Sequence, residues 1–403
     1  MKKTVVDAIT NTKKKFEELD SISLFNQNKV LEAYKNNCVA LRHFNGTSGY
    51  GADDIGRDTL GKVLAEIFKT EKAIVSPLIV SGTHALTLAL FGILRPDDVV
   101  LSVTGEPYDT MQDVIYKNGI GSLADFGIRF DNIPLKNDRI DYESVEKYLS
   151  KNSVKMIYIQ RSRGYSWRLA LSIDDIEKIC KFVKKIAPNC IIMCDNCYGE
   201  FVEMQEPTEV GVDICAGSFI KNIGGGIAPT GGYIAGRADL MDLVASRLTS
   251  PSIGTEVGSY AYGYRLFYQG IFLAPHIVNQ ALKTSVLFSE ALTNSGYDVL
   301  PKPNDKLGDI VCSVKFVDAD KMIRFCQAIQ SVSPVDGFVT PEPWEQPGYN
   351  EKVIMAAGCF VQGSSIELSC DGPIKAPYIA YLQGGLTLEH GILALEQVLN
   401  KIS

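Results

Sequence analysis

The chain has 403 residues, of which 46% are hydrophobic, and its formal net charge is −7. This length is sufficient for two or three domains with a sizeable core, while the acidic balance provides no basic field for DNA or RNA. The sequence has no signal-peptide pattern and no uninterrupted apolar segment of membrane-spanning length, and its ten cysteines lack the spacing of a small disulfide scaffold. We therefore expect a globular, cytoplasmic protein with reduced thiols, no membrane segment and no nucleic-acid partner.

The hydrophobic pattern divides the chain into three parts. Helical periodicity over residues 1–49 predicts an N-terminal helical arm. Over residues 50–275, short β-branched runs alternate with helical patterns, which indicates a large domain with a mostly parallel sheet and helices on both sides. Residues 276–403 combine helices with a few strands. The expected fold class is therefore α/β, with a smaller C-terminal α+β domain.

The predicted elements follow in chain order. In the large domain, the patterns predict strands at Ala73–Val80, Val99–Val103, Val154–Gln160, Ile191–Cys194 and Tyr233–Ala235. In the C-terminal part, they predict helices over about 276–295, 318–330 and from 387 onward, a strand at Asp309–Phe316, and a hairpin formed by Val353–Phe360 and Ile366–Ser369.

Residues that follow the predicted strands are candidates for function, because ligands of a parallel α/β sheet bind beyond the carboxyl ends of its strands. Ser81-Gly82-Thr83 opens a helix after the first strand, where free N–H groups attract a phosphate, although a plain helix cap looks the same. Tyr108 follows the second strand and could equally be an ordinary surface tyrosine. Asp195 ends an otherwise apolar strand, where a carboxylate requires a cationic or hydrogen-bonding partner.

The most distinctive segment is "SFIKNIGGGIAPTGGYIAG", residues 218–236, in which Lys221 stands next to many glycines. We expect these glycines to let a ligand approach the backbone closely. Pyridoxal 5′-phosphate requires a lysine for a Schiff base, a carboxylate beside its pyridine nitrogen, donors for its phosphate and a flat partner for its ring. Lys221, Asp195, the helix start at Ser81 and Tyr108 together meet these requirements.

Several motifs carry a family resemblance over roughly residues 40–400. Ser218-x-x-Lys221-Asn222 with its glycines, "DNCYGEF", "VSGTHAL" and "NGTSGYGADDIGRDTL" resemble pyridoxal-phosphate enzymes of the fold-type-I transsulfuration group. Within that group, the sequence is similar to the cystathionine β-lyase or methionine γ-lyase-like family that is labelled aluminium-resistance protein. The resemblance implies a fold-type-I, pyridoxal-phosphate-dependent transferase-like fold.

The resemblance also implies roles for individual residues. Lys221 would form the Schiff base, Asp195 would pair with the pyridine nitrogen, Cys197 would lie under the ring and Tyr108 would stack on it. The phosphate would bind at the helix start and the next strand end, at Ser81, Gly82, Thr83 and Ser218. Members of the group are homodimers or homotetramers with shared active sites, in which a neighbouring subunit contributes a tyrosine to the phosphate site. Tyr50 is the matching residue, and Arg57 is a second candidate from the same segment.

These roles predict a carbon–sulfur lyase that acts on a sulfur-containing amino acid. Lys221, with a pKa lowered by nearby cations and burial, would abstract the α-proton, and β- or γ-elimination would follow, with Lys221 or Tyr108 protonating the leaving group. The same electron-sink chemistry also serves aminotransferases, racemases and aldolases, so these alternatives stay open. A catalytically silent, pyridoxal-phosphate-binding regulatory protein is a further alternative, which the presence of Lys221 disfavours.

The site for the substrate carboxylate departs from the pattern of the wider lyase group. Transsulfuration lyases hold this carboxylate with an arginine in an Arg-Leu-Ser context, whereas the similar segment here begins with Glu367. We therefore consider Arg161 and Arg163, which follow a predicted strand, and Lys375 as alternative anchors, and we favour Arg163. The neighbouring Arg168 fits a solvated surface charge best.

A metal site is not expected. Cys194 and Cys197 have the Cys-x-x-Cys spacing of a redox or zinc pair. Zinc needs two more ligands, however, and the four histidines are scattered along the chain.

Overall fold

A computed structural model describes residues 1–346, 349 and 351–402. The chain begins with two helices, α1 (Lys3–Asn11) and α2 (Lys13–Asn36). The second helix packs along a long later helix, α9 (Arg265–Asn294), where Asn279 Nδ2 donates to Asp20 at 2.7 Å and Ser23 Oγ donates to the Pro275 carbonyl at 3.1 Å. These contacts hold the N-terminal helices against the body of the protein.

A seven-stranded sheet forms the centre of the larger part of the molecule. Its strands are β1 (Lys72–Ser76), β2 (Val99–Ser102), β3 (Arg129–Asn132), β4 (Met156–Gln160), β5 (Ile191–Asp195), β6 (Ile214–Ser218) and β7 (Gly232–Gly236). The strand order is β1-β7-β6-β5-β4-β2-β3. Strands β2 to β6 are parallel to one another, whereas β7 runs antiparallel to both β1 and β6. The central strands are apolar on both faces because helices cover both sides of the sheet.

Helices of this part include α3 (Ile55–Ile67), α4 (Gly82–Ile93), α5 (Asp109–Tyr116), α6 (Tyr142–Leu149), α7 (Ile173–Ile186) and α8 (Ala238–Leu248). Several of them begin with a side-chain cap. Ser81 caps α4, and Ser172 forms a reciprocal capping box with Asp175 at the start of α7. The cap at Ser81 matters most for function, because it fixes the start of α4 at the carboxyl edge of the sheet.

A second, five-stranded antiparallel sheet lies in the C-terminal part. It comprises β8 (Asp298–Leu300), β9 (Val311–Phe316), β10 (Val353–Ala356), β11 (Ser369–Pro373) and β12 (Tyr378–Gln383), in the order β10-β11-β12-β9-β8. Two helices, α10 (Ala319–Gln330) and α11 (Leu388–Lys401), complete this part and share a hydrophobic core with one face of the sheet. No helix in the described part of the chain is long and apolar enough to cross a membrane.

The predicted fold class is confirmed, with a mostly parallel, helix-flanked sheet and a smaller α+β portion. The strands near 73, 99, 156, 191 and 233 were predicted, but β3 and β6 were not. The predicted hairpin partner at Ile366–Ser369 is wrong, because the strand that pairs with β10 is β11, which begins at Ser369. The predicted division between domains at residue 275 falls inside α9 and stays a prediction.

Candidate active site

A cavity of about 510 Å³ lies where the carboxyl edge of the large sheet faces one side of the small sheet. Segments that follow β2, β4, β5 and β6 line one wall, and β9, β11 and β12 contribute to the other. Most of the residues predicted for a functional site line this single cavity: Ser81, Gly82, Thr83, Tyr108, Arg163, Asp195, Cys197, Ser218, Lys221 and Lys375.

Lys221 follows β6 by three residues, and its Nζ atom lies 3.9 Å from the centre of the Tyr198 ring. The glycines after it serve a different purpose from the one predicted. A Cβ atom on Gly224 would lie 1.8 Å from the Phe219 carbonyl oxygen, and one on Gly225 would lie 2.4 Å from the Gly270 carbonyl oxygen. These glycines therefore let the turn after Lys221 pack tightly against the protein rather than opening space for a ligand.

The pKa of Lys221 in the protein alone is raised. Burial lowers this pKa, but the facing Tyr198, Cys197 and Tyr108 side chains act in the opposite direction, so that the pKa lies above its ordinary value. The amine is protonated at neutral pH. The lowered pKa was predicted for the amine released when a substrate binds, and it stays a prediction.

Asp195 ends β5 and is 2% exposed. The backbone N–H of Cys197 donates to its Oδ1 atom at 3.0 Å. Burial raises the pKa of Asp195, while this hydrogen bond and the charge of Lys221 act to lower it. A cation placed beside Asp195 would further stabilise its charged form.

The start of α4 forms a third side of the cavity. Ser81 Oγ accepts from the His84 N–H at 3.0 Å, and a Cβ atom on Gly82 would lie 3.1 Å from Cys197 Sγ. Glycine at this position therefore lets the helix start approach the strand ends closely. Thr83 Oγ1 lies 3.0 Å from the Tyr108 hydroxyl. The free N–H groups and positive dipole of this helix start suit an anion.

Tyr108 is held in the cavity by its backbone as well as its hydroxyl. Its backbone N–H donates to Gln160 Oε1 at 3.0 Å. Burial raises the pKa of Tyr108, and the charge of Asp195 raises it further. The hydroxyl therefore stays protonated at neutral pH and can donate a proton.

The three arginines that follow β4 are all engaged within the protein. Arg163 is 2% exposed and pairs with Asp309 at 3.2 Å, so a substrate carboxylate would have to compete with Asp309 for it. Arg161 is absent from the cavity lining, and its guanidinium donates to Asn196 Oδ1 and the Gly199 carbonyl. The prediction that Arg168 is a solvated charge is wrong, because its buried side chain donates to backbone carbonyls.

Two residues predicted to act across a subunit interface lie away from the cavity of their own chain. Tyr50 is 84% exposed, and Arg57 donates to the carbonyls of Gly51 and Gly258 at 2.9 and 3.2 Å. Neither residue is among those that line the cavity. Their roles in a neighbouring subunit stay predictions.

Glu367, which stands where the wider lyase group has an arginine, is not among the residues that line the cavity. It is 3% exposed and accepts hydrogen bonds from the backbone N–H groups of Phe360 and Val361, both at 2.9 Å. Its charge therefore stabilises a loop.

Sequence reasoning missed part of the cavity wall: Tyr165, Tyr198, Asp371, Tyr381 and Gln383. Tyr198 stands inside the "DNCYGEF" motif, whose position after a strand could have indicated it. Asp371 and Gln383 gave no such signal, because the strands that carry them were misplaced or not predicted.

Known proteins resemble this chain over nearly its whole length. The chain is 48% identical over 394 residues to YnbB of Bacillus subtilis, an uncharacterized protein, covering 97% of this chain and 93% of that protein. It is 50% identical, with a TM-score of 0.96, to a crystal structure from Clostridium novyi of a carbon–sulfur lyase involved in aluminium resistance, covering 100% and 95% of the two chains.

More distant structures share the fold alone. A Campylobacter jejuni structure that contains N′-pyridoxyl-lysine-5′-monophosphate superposes with a TM-score of 0.59 at 18% identity, covering 88% of each chain. This likeness agrees with the predicted fold-type-I architecture.

The sequence profile of the methionine gamma-lyase family matches residues 1–403. The predicted resemblance is confirmed, and the chain belongs to the methionine gamma-lyase family.

Proposed function

We propose that the protein is a pyridoxal-phosphate-dependent lyase that cleaves a carbon–sulfur bond of a sulfur-containing amino acid. The observation that carries the proposal is the meeting of Lys221, Asp195 and the start of α4 in one cavity. Membership of the methionine gamma-lyase family supports it, as does the relative from Clostridium novyi that is called a carbon–sulfur lyase.

The residues present fit this cofactor. Asp195 is a buried carboxylate that favours a cation, which a protonated pyridine nitrogen would supply. The start of α4, with Thr83 and the nearby Ser218, would hold the phosphate, and Tyr108 offers an aromatic face. Lys221 is the amine that would bind the aldehyde, and Cys197 lies close beneath α4. The bound cofactor would supply an electron-withdrawing ring that stabilises negative charge at the substrate's α-carbon.

The protein's own groups would then move the protons. Lys221 would take the proton from the α-carbon, which requires its pKa to fall from the raised value that it has in the protein alone. A cationic ring or substrate ammonium beside it acts in that direction, because like charges disfavour the protonated form. The Tyr108 hydroxyl would donate a proton to the departing thiolate.

Attachment of the cofactor tests this proposal directly. We expect the purified protein with pyridoxal 5′-phosphate to absorb visible light, and borohydride to fix a pyridoxyl group on the peptide that contains Lys221. Lys221→Ala should lose the adduct and the elimination of thiol, whereas a matched variant of an exposed lysine, Lys352→Ala, should keep both. Peptide mass spectrometry makes the measurement, and an adduct on a different lysine would refute the assignment.

The substrate carboxylate requires a cation at the cavity. Among the described residues that line it, the cationic side chains are Lys221, Arg163 and Lys375. Lys221 is assigned to the aldehyde of the cofactor, and Arg163 already forms an ion pair with Asp309. Lys375 is exposed, and its Nζ forms no ion pair with any described residue. We therefore propose Lys375 as the carboxylate anchor ahead of Arg163, and Arg161 is set aside because it lies outside the lining.

We expect Lys375→Ala to raise KM for a thioether amino acid by roughly tenfold, the effect of losing one charged contact, while kcat stays nearly constant. Lys375→Arg should retain most of the affinity, because it preserves the positive charge. Steady-state thiol release at varied substrate concentration measures both constants. An unchanged KM in Lys375→Ala would refute Lys375 as the carboxylate anchor and favour Arg163 in that role.

A further inference from the structure

The small sheet presents one face to the cavity and the other to its own core. Asp371 in β11 lies opposite Tyr381 in β12, and both line the cavity. The next pair along the strands, Cys370 and Leu382, is buried in the core with α10 and α11. Because side chains of a strand alternate between faces, Asp371 is fixed toward the cavity by the register of the sheet.

The carboxylate of Asp371 is incompletely satisfied. Gln383 Nε2 donates to its Oδ2 atom at 3.4 Å, which is a long hydrogen bond. Its Oδ1 atom is buried and has no partner among the described residues at normal hydrogen-bond distance and angle. Burial raises the pKa of Asp371 to about 6, and a weaker hydrogen bond from the Tyr165 hydroxyl to this carboxylate acts in the opposite direction. A buried carboxylate with so few close donors is unfavourable, so this position favours a ligand that supplies another donor.

No cationic side chain in the described part of the chain supplies that donor. Arg163 is paired with Asp309, and no lysine or arginine among the described residues lies within ion-pair distance of Asp371. Lys221 influences Asp371 only through its more distant charge. Asp371 is therefore a cavity carboxylate that forms no ion pair with residues 1–346, 349 or 351–402.

Aromatic rings surround the same position. The Tyr165 ring centre lies 5.0 Å from that of Tyr381 and 5.7 Å from that of Tyr349, and all three residues line the cavity. Aromatic faces attract cations through their quadrupole, and a carboxylate beside them adds a charged hydrogen-bond acceptor. This combination is suited to an ammonium group and repels a carboxylate.

We propose that Asp371, together with Tyr165 and Tyr381, forms a distal subsite that binds a protonated amine at the end of the substrate's side chain. The preferred substrates are then diamino acids rather than monoamino acids of equal length. This inference rests on the proposed function, because the α-amine is assumed to bind at the Lys221 end of the cavity.

Matched amino acids without a sulfur leaving group test the subsite by binding alone. L-lysine and L-norleucine have side chains of nearly equal length that end in an ammonium and a methyl group, and L-2-aminoadipate ends in a carboxylate. We expect the cofactor-loaded protein to bind L-lysine about tenfold or more tightly than L-norleucine, as for a charged hydrogen bond, and to bind L-2-aminoadipate most weakly. Isothermal titration calorimetry gives the three dissociation constants.

Asp371→Asn should reduce the preference for L-lysine over L-norleucine to about one, because the amide has the same shape without the charge. Asp320→Asn, a matched change of an exposed residue at the start of α10, should leave the preference intact. An equal affinity for L-lysine and L-norleucine in the unaltered protein, or binding of neither, would overturn the inference. So would a preference that survives in Asp371→Asn.

Thiol release from S-(2-aminoethyl)-L-cysteine and from S-propyl-L-cysteine separates the two hypotheses. Release from both compounds at equal efficiency, without a preference for L-lysine, would refute the distal subsite and leave the proposed lyase standing. Preferential binding of L-lysine without release of thiol from either compound would refute the lyase and leave the ammonium subsite standing.

Discussion

We expect Arg163→Ala to lower the free energy of unfolding by about 3–5 kcal/mol, the loss found when one partner of a buried ion pair is removed. Arg163 joins the loop after β4 to the C-terminal part through Asp309, and it also donates to the Leu300 carbonyl at 2.8 Å. Its removal leaves the side chain of Asp309 buried and without its guanidinium partner. The cost therefore arises mainly from an uncompensated negative charge.

Urea unfolding monitored by fluorescence measures this effect, with Arg139→Ala as a matched change of an exposed arginine. Adding Asp309→Asn to Arg163→Ala should recover part of the lost stability, because it removes the isolated charge. A loss smaller than about 1 kcal/mol, the scale of a surface ion pair, would show that the Arg163–Asp309 pair is not a structural link.

The second large effect is expected at Asp195. Asp195→Asn should reduce kcat for thiol release by about 10² to 10³-fold, the range for losing one preorganised electrostatic contact, while cofactor remains attached to Lys221. An amide of the same shape cannot keep a pyridine nitrogen protonated, so the ring would withdraw electrons less strongly. The loss should fall on kcat rather than KM.

Borohydride fixation on Lys221 serves as the control for cofactor content in this experiment, and Asp320→Asn serves as the matched variant at an exposed position. If Asp195→Asn retains full activity with normal cofactor content, Asp195 has no electronic role. If the adduct itself disappears, Asp195 acts in cofactor binding instead.

Much of the large sheet was predictable because its strands are β-branched runs that end in polar residues. The strand β6 was missed because its sequence, "ICAGS", consists largely of small residues without a strand-like pattern. Its close packing explains this composition, since a Cβ atom on Gly217 would lie 2.7 Å from both Glu200 and Tyr233. Here tertiary packing overrides local strand propensity.

The candidate site likewise contains residues that the sequence could predict and residues that it could not. Lys221, Asp195 and Ser81-Gly82-Thr83 could be predicted, because each follows a strand or opens a helix at the edge where ligands bind. The engagement of Arg163 could not, because its partner Asp309 lies 146 positions further along the chain. Asp371 was missed for a different reason, since its face is set by a strand register that the sequence pattern misplaced.

The alternation along β11 and β12 separates two kinds of mutation. Positions 371, 381 and 383 face the cavity, whereas positions 370, 380 and 382 belong to the hydrophobic core. A mutant library restricted to the first set would diversify the ligand-facing wall and leave the residues beneath it untouched, although Tyr381 also packs in a small cluster with Val311 and Ile379. The second set, varied alone, would change thermal tolerance and leave ligand preference largely as it was. Selectivity and robustness could thus be evolved in the laboratory as nearly independent traits, on interleaved positions of one sheet.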